Sequence, residues 1–193
     1  MCRRNRLNPN HMAYIELNND FPGIRGLMAF RPDCADPLNR LAEQLLCAEN
    51  SLSRGDRELI ATYVSYLNNC FFCQNAHGGI AQHLLSCSID YIDQVKADFN
   101  QTDLSNKMKA LLTIAASVQR SGTAVTQQQV DAALETGATE REIHDTVLIA
   151  AAFCMYNRYV DGLGTWAPQD RNFYIERGKQ RAAEGYANYN PAH

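Results

Sequence analysis

From Pro37 onward, apolar residues recur every three or four positions, and that spacing makes helices the regular structure this chain can bury. Leu38, Leu41, Leu45, Leu46 and Ala48 form one stripe; Leu59, Ile60, Tyr63, Val64 and Leu67 form a second. Nowhere does the chain alternate apolar and polar residues in the manner of a half-buried strand. The expected fold class is therefore all-α. Local signals divide the stripes into elements. Asp36-Pro37 predicts a helix start, with an acceptor side chain before a first-turn proline. Ser53 predicts the N-cap of a helix reaching about Leu67, and Asn69 the N-cap of a third helix from Cys70 to about Leu85. A short helix is expected over 90–99, and a stronger one over 105–120, ended by Ser121-Gly122. Thr126 with Gln129, and Thr139 with Glu142, match the capping box and predict helices over 127–135 and 140–163. Gly137 and Gly164 serve as stops, and residues 169–186 predict a charged terminal helix. Two successive sets of three helices suggest a pseudo-duplicated bundle of helical hairpins. Residues 1–35 read as an irregular lead-in and 36–193 as one helical domain, since four of the six prolines precede Leu38.

A hydrophobic share of 46% over 193 residues supports a core without disulfide staples. The net charge of −3 argues against a nucleic-acid or anionic-membrane surface. Arg3, Arg4 and Arg6 read as a solvated tail. No apolar run approaches the roughly 18 residues that span a bilayer, and the first residues lack the apolar core of a signal peptide. The expectation is a reducing cytoplasm and no membrane. There the seven cysteines, an odd and scattered set, do not read as a disulfide framework. Cys34, Cys47, Cys87 and Cys154 read as buried small hydrophobes. His144, Tyr156 and Tyr159 read as packing or interface.

Cys70 and Cys73 are the exception. Three residues apart on a helix, their sulfurs share a face and can close a short disulfide. In or beside a first turn, unpaired N–H groups and the helix dipole favour a thiolate. His77 follows Cys73 by four positions, so its imidazole lies one turn away, able to take a thiol proton and return it to a leaving oxygen. Glu58 enters through geometry. If the second and third helices form an antiparallel hairpin turning at Asn68-Asn69, Glu58 lies about 15 Å from the turn along one arm. His77 lies about 12 Å back along the other, at a similar height. Cys73, only about 6 Å from the turn, is then reached through His77. Bland readings stand beside these. The cysteines and His77 are an incomplete zinc set that needs a distant fourth ligand; His77 alone fits a satisfied core histidine, and Glu58 alone a helix-start carboxylate.

Several segments together resemble a known family: Arg57-Glu58-Leu59-Ile60-Ala61, Val64-Ser65, Asn68-Asn69-Cys70-Phe71-Phe72-Cys73 and Ala76-His77-Gly78. The resemblance is to the alkylhydroperoxidase D-like branch of the carboxymuconolactone decarboxylase family, closest to its peroxidase-related members. It extends to Pro22-Gly23-Ile24-Arg25-Gly26-Leu27 and to the stretch Tyr156–Gly164. It implies an all-α fold of helical hairpins and a homo-oligomer. It implies that Cys73 attacks peroxide, that Cys70 resolves it, and that Glu58 and His77 relay the proton. One departure is visible: well-studied members carry histidine immediately before the second cysteine, where this chain has Phe72, which makes the pocket more apolar.

The leading expectation is a thiol-dependent hydroperoxide reductase or dithiol oxidoreductase. It needs no bound cofactor or metal beyond a redox-active Cys70–Cys73 disulfide, and an external dithiol protein restores it. The rival classes are a cofactor-free lactone decarboxylase-like lyase, which has no need of two thiols, and a non-catalytic helical oligomer whose cysteine pair binds metal or senses oxidation.

Overall fold

A computed structural model describes residues 13–187; the arginine cluster at Arg3, Arg4 and Arg6, along with Cys2, lies outside the described residues. The helices are α1 (Ile24–Phe30), α2 (Pro32–Leu46), α3 (Arg54–Leu67), α4 (Phe71–Leu85), α5 (Ile89–Asp98), α6 (Asn106–Arg120), α7 (Gln127–Glu135), α8 (Glu140–Gly162) and α9 (Arg171–Glu184). Among the described residues there is no strand, and none of the helices is long and apolar enough to cross a membrane. Helical side chains three and four apart share a face, and the stripes read from the sequence turn inward accordingly. Leu59, Ile60 and Val64 of α3, Leu111, Leu112 and Ile114 of α6, and Ile149 of α8 are all fully buried in one core. The closest-packed pair is the α3–α4 hairpin, followed by α4 with α9, then α6 with α8.

Caps account for most boundaries. Ser53, Ser88 and Ser105 each accept the N–H three residues on, opening α3, α5 and α6. Thr126 and Thr139 form reciprocal capping boxes with Gln129 and Glu142. Gly137 and Gly164 adopt φ of +87° and +60°, conformations that close helices at little cost for glycine.

Three expectations need correction. The segment before residue 36 is not irregular throughout, because α1 and the first turn of α2 lie within it. α2 opens at Pro32 rather than at Asp36-Pro37: the earlier proline takes the first helical position, where its missing N–H costs nothing. Pro37 is then carried inside the helix at the cost of one main-chain bond. Asn69 is not the N-cap of α4. It adopts φ +58° and ends α3 instead, with its N–H donating to Tyr66 O at 2.9 Å and the Cys70 N–H to Ser65 O at 3.0 Å. Those two bonds are the Schellman arrangement, and asparagine tolerates the left-handed conformation it requires. The N-cap position passes to Cys70.

Candidate active site

The shift of one residue has a chemical consequence. Cys73 becomes the third residue of α4, inside the turn whose amide N–H groups have no helical partners and favour negative charge. Cys70 is wholly buried at the N-cap, and Cys73 is 4% exposed. Both are free thiols. The Cys70 thiol donates to the Cys73 sulfur, and that bond, with burial next, pushes Cys70 far above the ordinary thiol range.

The loop carrying Cys70 is held by side-chain amides. Asn68 Nδ2 donates to Asn157 Oδ1 at 2.8 Å, and Gln119 Nε2 donates to Asn68 Oδ1 at 2.9 Å. Asn157 Nδ2 donates in turn to Ser65 Oγ at 3.0 Å, and Asn157 itself is almost fully buried. This network ties the α3–α4 turn to α6 and α8.

One helical turn beyond Cys73, His77 faces the same cleft. Its Nδ1 lies 2.7 Å from Glu58 Oε2 across the α3–α4 hairpin. Glu58 is only 1% exposed, so the imidazole Nδ1–H is its natural donor partner, which leaves Nε2 for the other side of the ring. The ring is held edge-on against Phe153 of α8, with centroids 4.6 Å apart. The cleft encloses about 110 Å³ and is walled by Phe72, Cys73, His77, Phe153, Tyr156 and Tyr174, among others. A single water occupies about 10–15 Å³ on the same measure, so the space admits a small organic molecule. Phe72 lies edge-on to Tyr174 at 6.0 Å and forms part of this apolar wall.

Two residues at the site were not singled out in the sequence. Tyr186, after the end of α9, donates its hydroxyl to Glu58 Oε1 at 2.7 Å, and its ring stacks on His77 at 6.1 Å and 20°. Asp161 of α8 stands beside the Cys70 thiol; burial raises its carboxyl and the neighbouring thiol partly offsets the rise. Asp161 stands within the Tyr156–Gly164 stretch, so a signal existed for it; nothing in the pattern around Tyr186 marks a site. Tyr156 also proves to line the cleft, its hydroxyl donating to Leu38 O at 2.8 Å. The remaining described cysteines correct an expectation. Cys34, Cys47, Cys87 and Cys154 are half-buried rather than fully buried, the last three packed against the edge of the core; Arg31 lies 3.5 Å from the Cys34 sulfur, Arg54 3.4 Å from Cys47 and Asn68 3.6 Å from Cys154. Among the described residues, no three histidine, cysteine or acidic side chains are grouped to hold a metal ion.

The sequence profile of the carboxymuconolactone decarboxylase family matches residues 32–84 and 90–167, a span that includes both arms of the α3–α4 hairpin. The fold is similar to the crystal structure of an uncharacterised peroxidase-related protein from Ralstonia eutropha JMP134, described as an alkylhydroperoxidase AhpD core. That match has a TM-score of 0.73 and 25% identity, and covers 82% of this chain and 81% of the other. An uncharacterised peroxidase-related protein from Silicibacter sp. TM1040 shares the fold at a TM-score of 0.72 and 23% identity, over 81% and 80% of the two chains. No curated protein sequence matches. With the profile running across most of the chain and the helices superposing on those two structures, this protein belongs to the carboxymuconolactone decarboxylase family, in its alkylhydroperoxidase D-like form.

Proposed function

We propose that the protein is a thiol-dependent hydroperoxide reductase acting on small organic hydroperoxides. The observation that carries this reading is the 2.7 Å contact between the buried Glu58 carboxylate and His77 Nδ1, behind an imidazole that shares a cleft with Cys73. A carboxylate so placed fixes the tautomer and the ring orientation, which suits His77 to proton transfer at its other nitrogen. The apolar cleft favours an organic hydroperoxide over hydrogen peroxide. The Ralstonia protein, described as peroxidase-related, supports the same reading.

In the proposed reaction the Cys73 thiolate attacks the terminal oxygen of R–O–O–H. An S–O bond forms and the O–O bond breaks; the RO⁻ leaving group takes the proton from His77 and departs as alcohol. Cys70 sulfur then attacks the Cys73 sulfenic acid, expelling hydroxide, which takes the Cys70 proton and leaves as water. Asp161, beside Cys70, is placed to carry that proton. An external dithiol protein reduces the disulfide and is itself oxidised to a disulfide. The reading includes a homo-oligomer, supported by Phe30, Phe71, Leu148 and Met155 left exposed on the single chain.

The test is titration of free thiols before and after one equivalent of cumene hydroperoxide. Two thiols should disappear, map by peptide analysis to Cys70 and Cys73, and return with dithiothreitol. An unchanged count in reduced, folded protein removes the reading.

A further inference from the structure

The C-terminal end of α9 contributes to the site in a way that neither the cysteine motif nor the hairpin accounts for. Gly185 adopts φ +69° and turns the chain back over the cleft. Glu43 of α2 receives it there: its Oε2 accepts the backbone N–H of Tyr186 at 2.5 Å and of Ala187 at 3.1 Å. A Cβ on Gly185 would lie 2.7 Å from Glu43 Oε2, so a side chain there would displace the carboxylate that receives the turn. On the other side, Arg181 donates to Gly185 O at 2.9 Å and its guanidinium lies 5.9 Å from the centre of the Tyr186 ring. Seated this way, the Tyr186 hydroxyl is 2.7 Å from Glu58 Oε1 and 3.3 Å from His77 Nδ1. Both oxygens of a buried carboxylate are thereby engaged, one by the phenol and one by the imidazole.

We propose that Tyr186 is a positioning residue for the Glu58–His77 pair and that Glu43 seats it by capturing the backbone of the segment after α9. The phenol O–H spreads the negative charge of Glu58 over a second donor, and its ring limits rotation of His77. A donor on one carboxylate oxygen weakens the hold of that carboxylate on a proton shared through the other. Removing the hydroxyl therefore makes the Glu58–His77 pair a stronger acceptor for the Cys73 proton, and the cysteine thiolate forms at lower pH. The charged and titratable groups facing this trio are Cys73 from α4, Glu43 from α2 and Cys47 just after it, Arg57 from α3, Arg25 from α1, Tyr156 from α8, and Tyr174, Arg177 and Arg181 from α9. Burial and the Glu58 charge hold the Tyr186 phenol well above its usual value, so it remains a donor throughout the neutral range.

The inference rests on the relay proposed above, and its test separates the two. The rate of Cys73 alkylation by iodoacetamide, followed against pH, needs no hydroperoxide turnover. Tyr186→Phe keeps the ring and loses only the hydroxyl; its midpoint should move down by roughly one pH unit, the scale of one hydrogen bond to a charged acceptor. Glu43→Ala should shift the profile in the same direction and speed hydrogen exchange at the amides of 186 and 187. Glu58→Gln is the control for the relay. If it shifts the profile while Tyr186→Phe superimposes on the parent, Tyr186 is no part of the relay and the inference is overturned. If Glu43→Ala alone superimposes, its seating role is overturned. If Glu58→Gln also superimposes, relay and inference fall together.

Discussion

Gly79 of α4 and Gly178 of α9 meet as bare backbone, since a Cβ on Gly178 would lie 2.3 Å from the Gly79 carbonyl carbon. The approach is close in both directions, for a Cβ on Gly79 would lie 2.3 Å from Tyr174 O. Two helices packed this tightly hold α9 against the cysteine-bearing helix, and α9 delivers Tyr174, Arg181 and the turn to Tyr186.

Gly178→Ala sets two effects against each other. Alanine favours a helix over glycine by about 1 kcal/mol. Its methyl, however, must displace backbone rather than a flexible side chain, and overpacking costs about 1–3 kcal/mol. The expected result is a lower thermal midpoint by circular dichroism, with the far-UV spectrum still helical. A midpoint equal to or above that of the parent would show that α9 can stand off from α4 without loss.

Glu58→Gln keeps the size of the side chain and removes its charge. Without an anion behind Nδ1, the imidazolium loses its partner and the tautomer its preference. Oxidation of Cys73 by cumene hydroperoxide should slow by about 10²-fold, the lower end of what positioned acid–base groups contribute. Thermal stability should hold or rise, since a buried charge carries a desolvation cost that the amide avoids. Stopped-flow measurement of thiol loss gives the rate; equal rates for parent and variant would reduce Glu58 to a structural carboxylate.

The hairpin was legible because its parts are local. The stripes at Leu59–Leu67 give α3 its face, and the spacing of Cys70, Cys73 and His77 gives α4 its face. A fixed rise per residue then brings Glu58 opposite His77 with no tertiary information beyond the hairpin itself. The Asn69 boundary was misread by one position because asparagine suits both an N-cap and a left-handed C-terminal position, and only the bonds to Tyr66 and Ser65 decide between them. Pro32 and Pro37 both suit a first turn, and the sequence holds no term that ranks them. Tyr186 could not be found by periodicity. It lies 128 positions from Glu58, and the carboxylate that seats it, Glu43, looks like any solvated helix residue.

Asn157 supplies a test of how the cysteine turn is held. It is 1% exposed, and it bridges Asn68 at 2.8 Å and Ser65 at 3.0 Å. Asn157→Leu keeps the branching at Cγ but leaves Asn68 without one acceptor and Ser65 without one donor. Leaving a buried polar group unpaired costs about 1–3 kcal/mol, so the midpoint of urea unfolding should fall by that amount converted through the slope. The more specific expectation concerns the Cys70 loop: hydrogen exchange at the amides of Asn69 and Cys70 should accelerate more than exchange in α6. Uniform acceleration across the chain would mean that Asn157 serves the core in general and not the turn.

Acid stability should reveal the other buried carboxylate that takes part in a charged pair. Glu142, at the third position of α8, is 2% exposed, and its oxygens accept the Thr139 N–H at 2.9 Å and Lys107 Nζ at 3.1 Å. Burial pushes its carboxyl up; the Thr139 amide, Lys107 and Ser51 together outweigh burial and leave it below the ordinary value of 4.5. A carboxyl lowered by folding contributes stability that is complete above its unfolded value and is lost as pH falls through its folded value. Glu142→Gln keeps both halves of the capping box, for glutamine serves there as well as glutamate, but it abolishes the charge. The parent should therefore be the more stable of the two at neutral pH. The gap between them should close as pH drops below about 4.5, since protonating Glu142 removes what the substitution removes. Thermal midpoints of both proteins taken from neutral pH into acid measure the gap directly. A gap that stays constant would place the contribution of Glu142 in its hydrogen-bond geometry and not in its charge.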